Sequence, residues 1–114
     1  MSEKGGRTPT KQQLFEQSDR VFRASGNGLA DVEALLTECR DIADDEFQET
    51  FALVFRLSPD VPPIQGTYVL QNEKIGALDL FLVPIRADEK GLYLEALFNR
   101  LKEREEKEVA NEQT

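Results

Sequence analysis

The sequence predicts a mainly β fold: a small antiparallel barrel or sandwich of five to six strands, with a short N-terminal helix and a charged C-terminal tail. Short segments rich in alternating, β-branched or aromatic residues recur roughly every ten residues, with clusters of Gly, Asn, Pro and Asp between them. Long helical patterns do not alternate with these segments, as they would in a parallel βαβ fold. The 114 residues are enough for one hydrophobic core without disulfides or metals.

The clearest strand covers residues 51–57, in which large apolar residues occupy every second position. Pro84 is predicted to end a later strand, because proline cannot donate a hydrogen bond within a central ladder. That strand is apolar on both faces over residues 80–83, which indicates either a central strand or one that contributes to an interface. The predicted strands are 20–23, 51–57, 67–70, 77–83 and 92–98, and the predicted turns are 25–28, 72–76 and 88–91.

Residues 29–42 are compatible with two kinds of structure. Apolar residues at positions 32, 35, 36 and 39 match the helical period, and the Ala and Leu residues are good helix formers. The residues at positions 32, 34 and 36 also alternate with polar and other residues, as they would in a strand. Periodicity alone favours a helix here.

The two ends of the chain differ in composition from its middle. The first nine residues are polar, contain a Gly-Gly pair and lack periodicity, which predicts disorder. Thr10 and Gln13 have the spacing of a capping box, so we expect a short helix from Thr10 to about Ser18. The predicted division is a disordered lead-in over 1–9, a single β domain over 10–101 and a charged, frayed helical tail over 102–114.

Composition excludes several classes of chemistry. The chain has no histidine and no tryptophan, and Cys39 is its one cysteine. Catalytic serine or cysteine sites that depend on histidine are excluded, as are zinc sites built from histidine and several cysteines. We therefore expect no catalytic residue, no metal and no cofactor. A lone cysteine cannot form an internal disulfide, which favours a reducing, cytoplasmic location.

The net charge of the chain indicates which classes of partner to expect. The chain carries 14 Lys and Arg against 22 Asp and Glu, a formal net charge of -8. A chain this acidic repels nucleic acid and anionic lipid at long range, so we expect neither nucleic acid nor a membrane as a partner. The longest apolar run, residues 80–85, is too short to cross a bilayer, and residues 1–13 contain no apolar stretch of the kind that a secretory signal needs.

Three groups of residues are candidates for chemistry. The acidic residues 44–46 are adjacent rather than alternating, which favours a solvated loop over a calcium site. Cys39 has no histidine to activate it, and we interpret it as a small buried apolar residue. Asp79 and Glu95 remain a candidate carboxylate pair on neighbouring strands, with Arg86 as a nearby charge.

Residues 65–68, Gln-Gly-Thr-Tyr, form the most distinctive local motif. Two roles are open. Gln65 and Tyr68 could form a polar contact point beside the proline-containing loop that precedes them. In the structural alternative, Gly66 supplies a backbone geometry that other residues resist, and Tyr68 packs with its hydroxyl group hydrogen-bonded.

Three sequence blocks and a closing segment carry a family resemblance. The blocks are 51–55 (FALVF), 64–70 (IQGTYVL) and 75–84 (IGALDLFLVP), and the closing segment is 95–99 (EALFN). In this order and spacing the chain resembles a small bacterial domain of unknown function, the family numbered 6916, over residues 14–100. The resemblance implies a compact β domain for which no activity and no catalytic residue is assigned.

The same resemblance has three further implications. It implies that residues 31–41 form a strand ending in Arg40-Asp41, in place of the helix that periodicity favours. It implies a setting beside phage-tail-like or collar proteins. Family members often carry a histidine shortly after the Gln-Gly-Thr-Tyr strand, where this chain has Gln71-Asn72, so chemistry that depended on that histidine is absent here.

The sequence predicts a non-catalytic protein-interaction module, because a small barrel cannot enclose all of these aromatic and aliphatic strand residues and leaves strand edges open. We expect the partner to be another protein, and a homodimer formed through an edge strand is compatible with this function. The alternative is a small ligand-binding barrel or a carboxylate-dependent enzyme, which needs a cavity with converging polar side chains. The predicted partner-binding residues are Pro62, Pro63, Ile64, Gln65, Tyr68 and Phe81.

Overall fold

The structure, a computed structural model, describes residues 9–101. Neighbouring strands are all antiparallel, and they close into a ring in the order β1-β2-β3-β6-β5-β4. The predicted β fold of up to six antiparallel strands with a short N-terminal helix is confirmed. The expected tail at 102–114 and the lead-in, apart from Pro9, lie outside the described residues. The elements are α1 (Lys11–Glu16), β1 (Val21–Gly26), β2 (Leu29–Asp44), β3 (Gln48–Leu57), β4 (Gly66–Asn72), β5 (Gly76–Asp88) and β6 (Gly91–Leu101).

Strand β3 is the central strand of the sheet. It pairs with β6 along its whole length, from Gln48↔Leu101 to Leu57↔Leu92, and with β2 over most of it. Large apolar residues occupy every second position of this strand, and these side chains point into the ring. The residues on its outer side, Ala52 and Val54, are also fully buried, because side chains of both neighbouring strands cover them.

The interior of the ring is filled by apolar side chains from all six strands and from α1. Edge-to-face contact between Phe22 and Phe55, with ring centroids 5.3 Å apart, joins β1 to β3 within this core. Burial of these side chains is the main source of stability, at about 25 cal/mol per Å² of apolar surface. The core residues with the least exposure are Leu14, Phe22, Ala24, Ala34, Phe51, Leu53, Phe55, Leu70, Leu82 and Leu94.

Residues 29–42 form a strand, so the helix favoured by periodicity is wrong. β2 pairs with β1 on one side and with β3 on the other. The register against β3 shifts between Leu36 and Glu38, so that Leu36 and Cys39 face the same side although they are three residues apart. This bulge imitates a helical period in the sequence, which explains why the periodicity was misleading.

Strand β5 does not end at Pro84, in contrast to the sequence prediction. It continues to Asp88, and it changes neighbours on the way: residues 76–82 pair with β4, and residues 82–88 pair with β6. Pro84 follows the last pair with β4, so its missing N–H group faces an open side of the strand. A register shift between Pro84 and Arg86 marks a bulge at this point.

Helix α1 begins as predicted and ends earlier than predicted. Thr10 and Gln13 form a capping box, in which the Thr10 hydroxyl accepts from the Gln13 N–H group and the Gln13 side chain accepts from the Thr10 N–H group. The helix ends at Glu16, two residues short of Ser18. Leu14 is fully buried in the core, and Phe15 packs edge to face on Phe51.

The glycine at the β5–β6 turn yields a stability prediction. A Cβ atom on Gly91 would lie 2.1 Å from the backbone oxygen of Leu57, which the surrounding strands hold in place. We expect Gly91→Ala to lower the free energy of unfolding by about 3 kcal/mol, because the clash involves backbone that cannot move aside cheaply. Chemical denaturation of the wild type and the variant measures this loss.

The matched control is Gly28→Ala in the β1–β2 turn. Gly28 has a φ of 89° but open space around the added Cβ atom, so only the cost of the left-handed backbone applies, about 1 kcal/mol. A Gly91→Ala loss no larger than that of Gly28→Ala would contradict the proposed close approach of Gly91 to Leu57.

Candidate interaction surface

The outer face of β5 exposes three large apolar side chains. Phe81 is 54% exposed, Val83 36% and Ile85 39%. Their neighbours Leu80 and Leu82 point inward and are buried, as the alternation of a strand requires. Ile85 lies at the bulge and is left outside the pairing with β6. The half of β5 that is apolar on both faces therefore contributes one face to the core and leaves the other uncovered.

Leu97 of β6 extends this exposed surface. Leu97 and Phe81 each lie one residue beyond Ala96↔Leu82, the last pair between β6 and β5, and both point to the outer face. Leu97 is 62% exposed. We call Phe81, Val83, Ile85 and Leu97 the apolar strip.

A salt bridge borders the apolar strip. Arg40 of β2 reaches across β3 and donates a hydrogen bond to Glu95 of β6, and it lies 3.5 Å from Glu38. Both partner strands flank β3, and the bridge passes over its small outer residues, Ala52 and Val54. Glu95 is opposite Val83, and Arg40 neutralises its carboxylate.

The predicted loop lies on the surface at one end of the apolar strip. Pro62, Pro63, Ile64 and Gln65 are all exposed, and Ile64 is 42% exposed. The loop leads directly into β4, whose first residue pairs with Leu82 of β5. Chain connectivity thus brings this loop to the same side of the ring as the strip.

Tyr68 is not available to a partner. Its side chain is 1% exposed, and its hydroxyl group donates a hydrogen bond to the carbonyl oxygen of Ile64. Tyr68 therefore has the second of the two roles considered for it, that of a packed residue with a hydrogen-bonded hydroxyl group. It does not belong among the predicted partner-binding residues. Tyr68 points inward because it shares a parity along β4 with Leu70, which is fully buried.

The expected role of Gly66 also needs correction. It is not among the residues with a positive φ in the described part of the chain. Instead, a Cβ atom there would lie 3.0 Å from the side chain of Asn27, whose Nδ2 donates to the carbonyl oxygen of Thr67. Close approach of two turns, rather than an unusual backbone conformation, favours glycine at this position.

The candidate carboxylates do not form a site. Asp79 is exposed and pairs with Val69, whereas Glu95 is opposite Val83, four residues further along β5. Arg86 does not approach them, because its guanidinium lies 4.2 Å from the ring centre of Tyr93. These three charged residues lie outside the ring, so they do not converge on an internal cavity.

The acidic residues near the β2–β3 turn have structural roles. Lys11 of α1 bonds to Asp41 at 3.0 Å and to Asp44 at 2.6 Å, which fixes the helix against β2. The Asp45 carboxylate accepts hydrogen bonds from the N–H groups of Phe47 and Gln48 and closes the turn. Within residues 9–101, no group of three or more acidic or cysteine side chains is placed to hold a metal ion.

Two further residues near α1 take part in packing. Arg100 lies over the stacked rings of Phe51 and Phe98, with its guanidinium 5.3 Å and 5.1 Å from their centres. Cys39 is half-buried rather than fully buried, and its sulfur lies 3.3 Å from Nη1 of Arg20. Neither arrangement leaves an open reaction site.

Sequence reasoning found Phe81 and missed the rest of the apolar strip. The sequence did contain a signal for Val83. Residues 80–83 are apolar on both faces, and one interpretation of this pattern was a strand that contributes to an interface. Ile85 was missed since the strand was expected to end at Pro84. Leu97 was missed because its place on this surface depends on the register of β5 against β6, which the sequence does not reveal.

No helix in the part of the chain that the structure describes is long and apolar enough to span a membrane.

The fold and the surface define a class of protein: a small domain with a closed ring of six antiparallel strands and an apolar strip on its outer face. The family model described as "Domain of unknown function (DUF6916)" matches residues 9–98. The chain belongs to this family, which confirms the resemblance seen in its sequence blocks. Searches of the curated proteins and of the solved structures found no match.

Burial of Tyr68 yields a pH prediction. Desolvation raises the pKa of its hydroxyl group above the ordinary value of about 10, and hydrogen bonds to Asp44 and Asp41 raise the pKa of Lys11. Both groups hold their protons more tightly in the folded state, so the stability that these two groups contribute is constant below about pH 10 and falls as the pH rises above it. Chemical denaturation at several alkaline pH values measures the decline.

Tyr68→Phe separates the two contributions. We expect the variant to lose about 1 kcal/mol at neutral pH, because the hydrogen bond to Ile64 is removed. Its stability should then fall less steeply than that of the wild type above pH 10, since one titrating group is gone. An unchanged alkaline slope would show that Tyr68 does not contribute to the decline.

Proposed function

We propose that the protein is a non-catalytic protein-binding module that uses the apolar strip as its contact surface. The observation that carries the proposal is the run of four large apolar side chains, each 36% to 62% exposed, on one outer face of the ring. Single exposed apolar residues are common on protein surfaces, whereas a contiguous apolar surface is typical of an interaction site.

The composition of the apolar strip suits a binding surface. Phe81 supplies a large aromatic side chain, the type that is enriched among residues dominating binding energy. The strip lies on paired strands, which hold its side chains in place before a partner arrives and reduce the ordering that binding requires. The Arg40–Glu95 bridge adds a polar border, as is usual at the rim of an interface.

The loop at residues 62–65 is the second part of the proposed surface. Its two prolines restrict the backbone, and Ile64 adds an exposed aliphatic side chain. The hydrogen bond from Tyr68 to Ile64 holds this loop against β4. Tyr68 therefore supports binding from within by positioning the loop, without touching the partner.

The ligand-binding and carboxylate-enzyme alternatives depend on charged residues that the structure does not bring together. The side chains that would have to converge in a cavity, Asp79, Glu95 and Arg86, lie on the outer surface. The setting beside a phage-tail-like or collar protein and the cytoplasmic location remain predictions from the sequence and the family resemblance.

Substitution within the apolar strip tests the proposal. The full chain with an affinity tag is expressed in its source organism, alongside the double variant Phe81→Ser, Val83→Ser. We expect the wild type to retain a protein in stoichiometric amount and the double variant to bind it at least about thirtyfold more weakly, since a dominant aromatic contact contributes about 2 kcal/mol. Titration of the purified partner measures the affinities.

The matched control is Val21→Ser. Val21 is an apolar residue of β1 that is 43% exposed and lies outside the strip, so its substitution should leave binding unchanged. Thermal unfolding establishes that both variants are folded. Equal loss of binding in both, or full retention in the double variant, would exclude the strip as the contact surface.

A further inference from the structure

We infer that residues 97–101 of β6 form a self-association edge, along which two copies of the chain pair as antiparallel strands. β6 pairs with β3 as far as Leu101, but its pairs with β5 begin only at Ala96 and run the other way to Gly91. Residues 97–101 therefore have β3 on one side and no strand of this chain among residues 9–101 on the other. We call this five-residue segment the open edge of β6.

Other unpaired strand sides in the described chain are less suited to pairing. Beyond Leu36, the free side of β2 lies beside Arg20 and α1 and carries the acidic Asp41 and Asp44 that bind Lys11. The free side of β5 beyond Leu82 contains Pro84 and a bulge, two features that commonly block edge-to-edge pairing.

The open edge of β6 carries none of these protective features. Its outward side chains are Leu97, Asn99 and Leu101, of which the two leucines are 62% and 80% exposed. Its one charged side chain, Arg100, points to the inner face and lies 3.9 Å from Glu49. The outer face of the edge is uncharged and mostly apolar, and an edge of this kind can pair with another strand.

The limits of the open edge determine the register of the pair. Pairing cannot extend before Leu97, because β5 already occupies that side of Ala96. Residues 102–108 (KEREEKE) are all charged, which disfavours pairing after Leu101. Full use of the edge by both copies places a two-fold axis at its middle residue, Asn99.

This register is self-complementary. On the outer face, Leu97 of each copy lies opposite Leu101 of the other, and the two Asn99 side chains meet at the axis, where amide groups can both donate and accept. On the inner face, Phe98 lies opposite Arg100 of the other copy, a pairing of the same type that Arg100 already makes with its own Phe98.

The net charge of the protein favours self-association through an uncharged edge over a contact between acidic surfaces. Two chains of charge -8 repel each other, and a contact between their acidic surfaces would add local repulsion. The open edge brings only uncharged side chains together on its outer face. Association should therefore become stronger as salt screens the long-range repulsion, whereas a contact made of ion pairs would weaken.

The inference does not depend on the proposed function, although Leu97 belongs to both surfaces. Residues that separate them are available: Asn99 and Leu101 lie only on the open edge, and Phe81 and Val83 lie only on the apolar strip. The double variant Phe81→Ser, Val83→Ser should keep the dimer, so failure of one proposal leaves the other intact.

Charge substitutions at Asn99 test the two-fold axis directly. Asn99→Lys places two ammonium groups opposite each other in a dimer, and Asn99→Asp places two carboxylates there. Sedimentation equilibrium of the wild type should give twice the 12.9 kDa of the single chain at high concentration, and each variant alone should give the single-chain mass. An equimolar mixture of the two variants should restore the dimer, because Lys then meets Asp.

The controls are Val21→Lys and Val21→Asp, which place the same charges on an exposed position of β1. Both should dimerise like the wild type. Thermal unfolding of the Asn99 variants guards against a folding defect, since the hydrogen bond that Asn99 accepts from the Thr50 hydroxyl is lost in Asn99→Lys, whereas the carboxylate of Asn99→Asp can still accept it. A wild type that stays at 12.9 kDa at every concentration and salt level overturns the inference, as does a mixture that fails to dimerise.

Hydrogen exchange supplies an independent measurement on the unmodified chain. In a strand that is paired on one side only, every second N–H group points to the open side. We expect amides of residues 97–101 to exchange in an alternating pattern at low concentration, and the fast ones to become protected at high concentration. Concentration-dependent protection confined to β5 or to β2 instead would overturn the assignment to β6.

Discussion

The structure depends on strand β3, which is paired on both sides and buried on both faces. Phe51, Leu53 and Phe55 fill the ring, while Ala52 and Val54 are covered on the outside by residues of β2 and β6. A charge within residues 51–55 would be buried on either face of β3, and the ten-residue length of the strand determines how far its neighbours must extend. The positions of the other strands depend on how β2 and β6 pair with β3.

The strands around β3 differ in length. The apolar strip and the open edge of β6 are consequences of this difference. β6 follows β3 to its far end, but β5 leaves β6 at Ala96 to pair with β4 instead. The divergence uncovers one side of β6 and leaves the outer residues of β5 without a covering strand. Helix α1 contributes Leu14 and Phe15 to the inner side, so the core is closed although the outer surface stays apolar.

Cations in this acidic protein serve mostly to join elements. Lys11 connects α1 to β2, Arg40 connects β2 to β6 across β3, and Arg100 covers the stacked rings of the inner face. Exposed ion pairs of this kind each contribute no more than about 1 kcal/mol, so apolar burial stabilises the ring and the pairs select the alignment of its parts. The apolar strip and the outer face of the open edge are left without charged side chains of their own.

The sequence by itself determined the fold class, the family and most strand positions, because alternation, turn residues and the capping box at Thr10 are local signals. It identified Phe81 and the loop at 62–65 as surface candidates. It could not distinguish strand from helix at residues 29–42, where a bulge spaces Leu36 and Cys39 like a helix. Only the tertiary structure decided that Tyr68 faces inward, that β5 passes Pro84, and that Leu97 points to the same outer face as Phe81. These three features depend on the register of the strands and on which strands are neighbours. Register and strand order are both set by pairing between segments that are distant in the sequence.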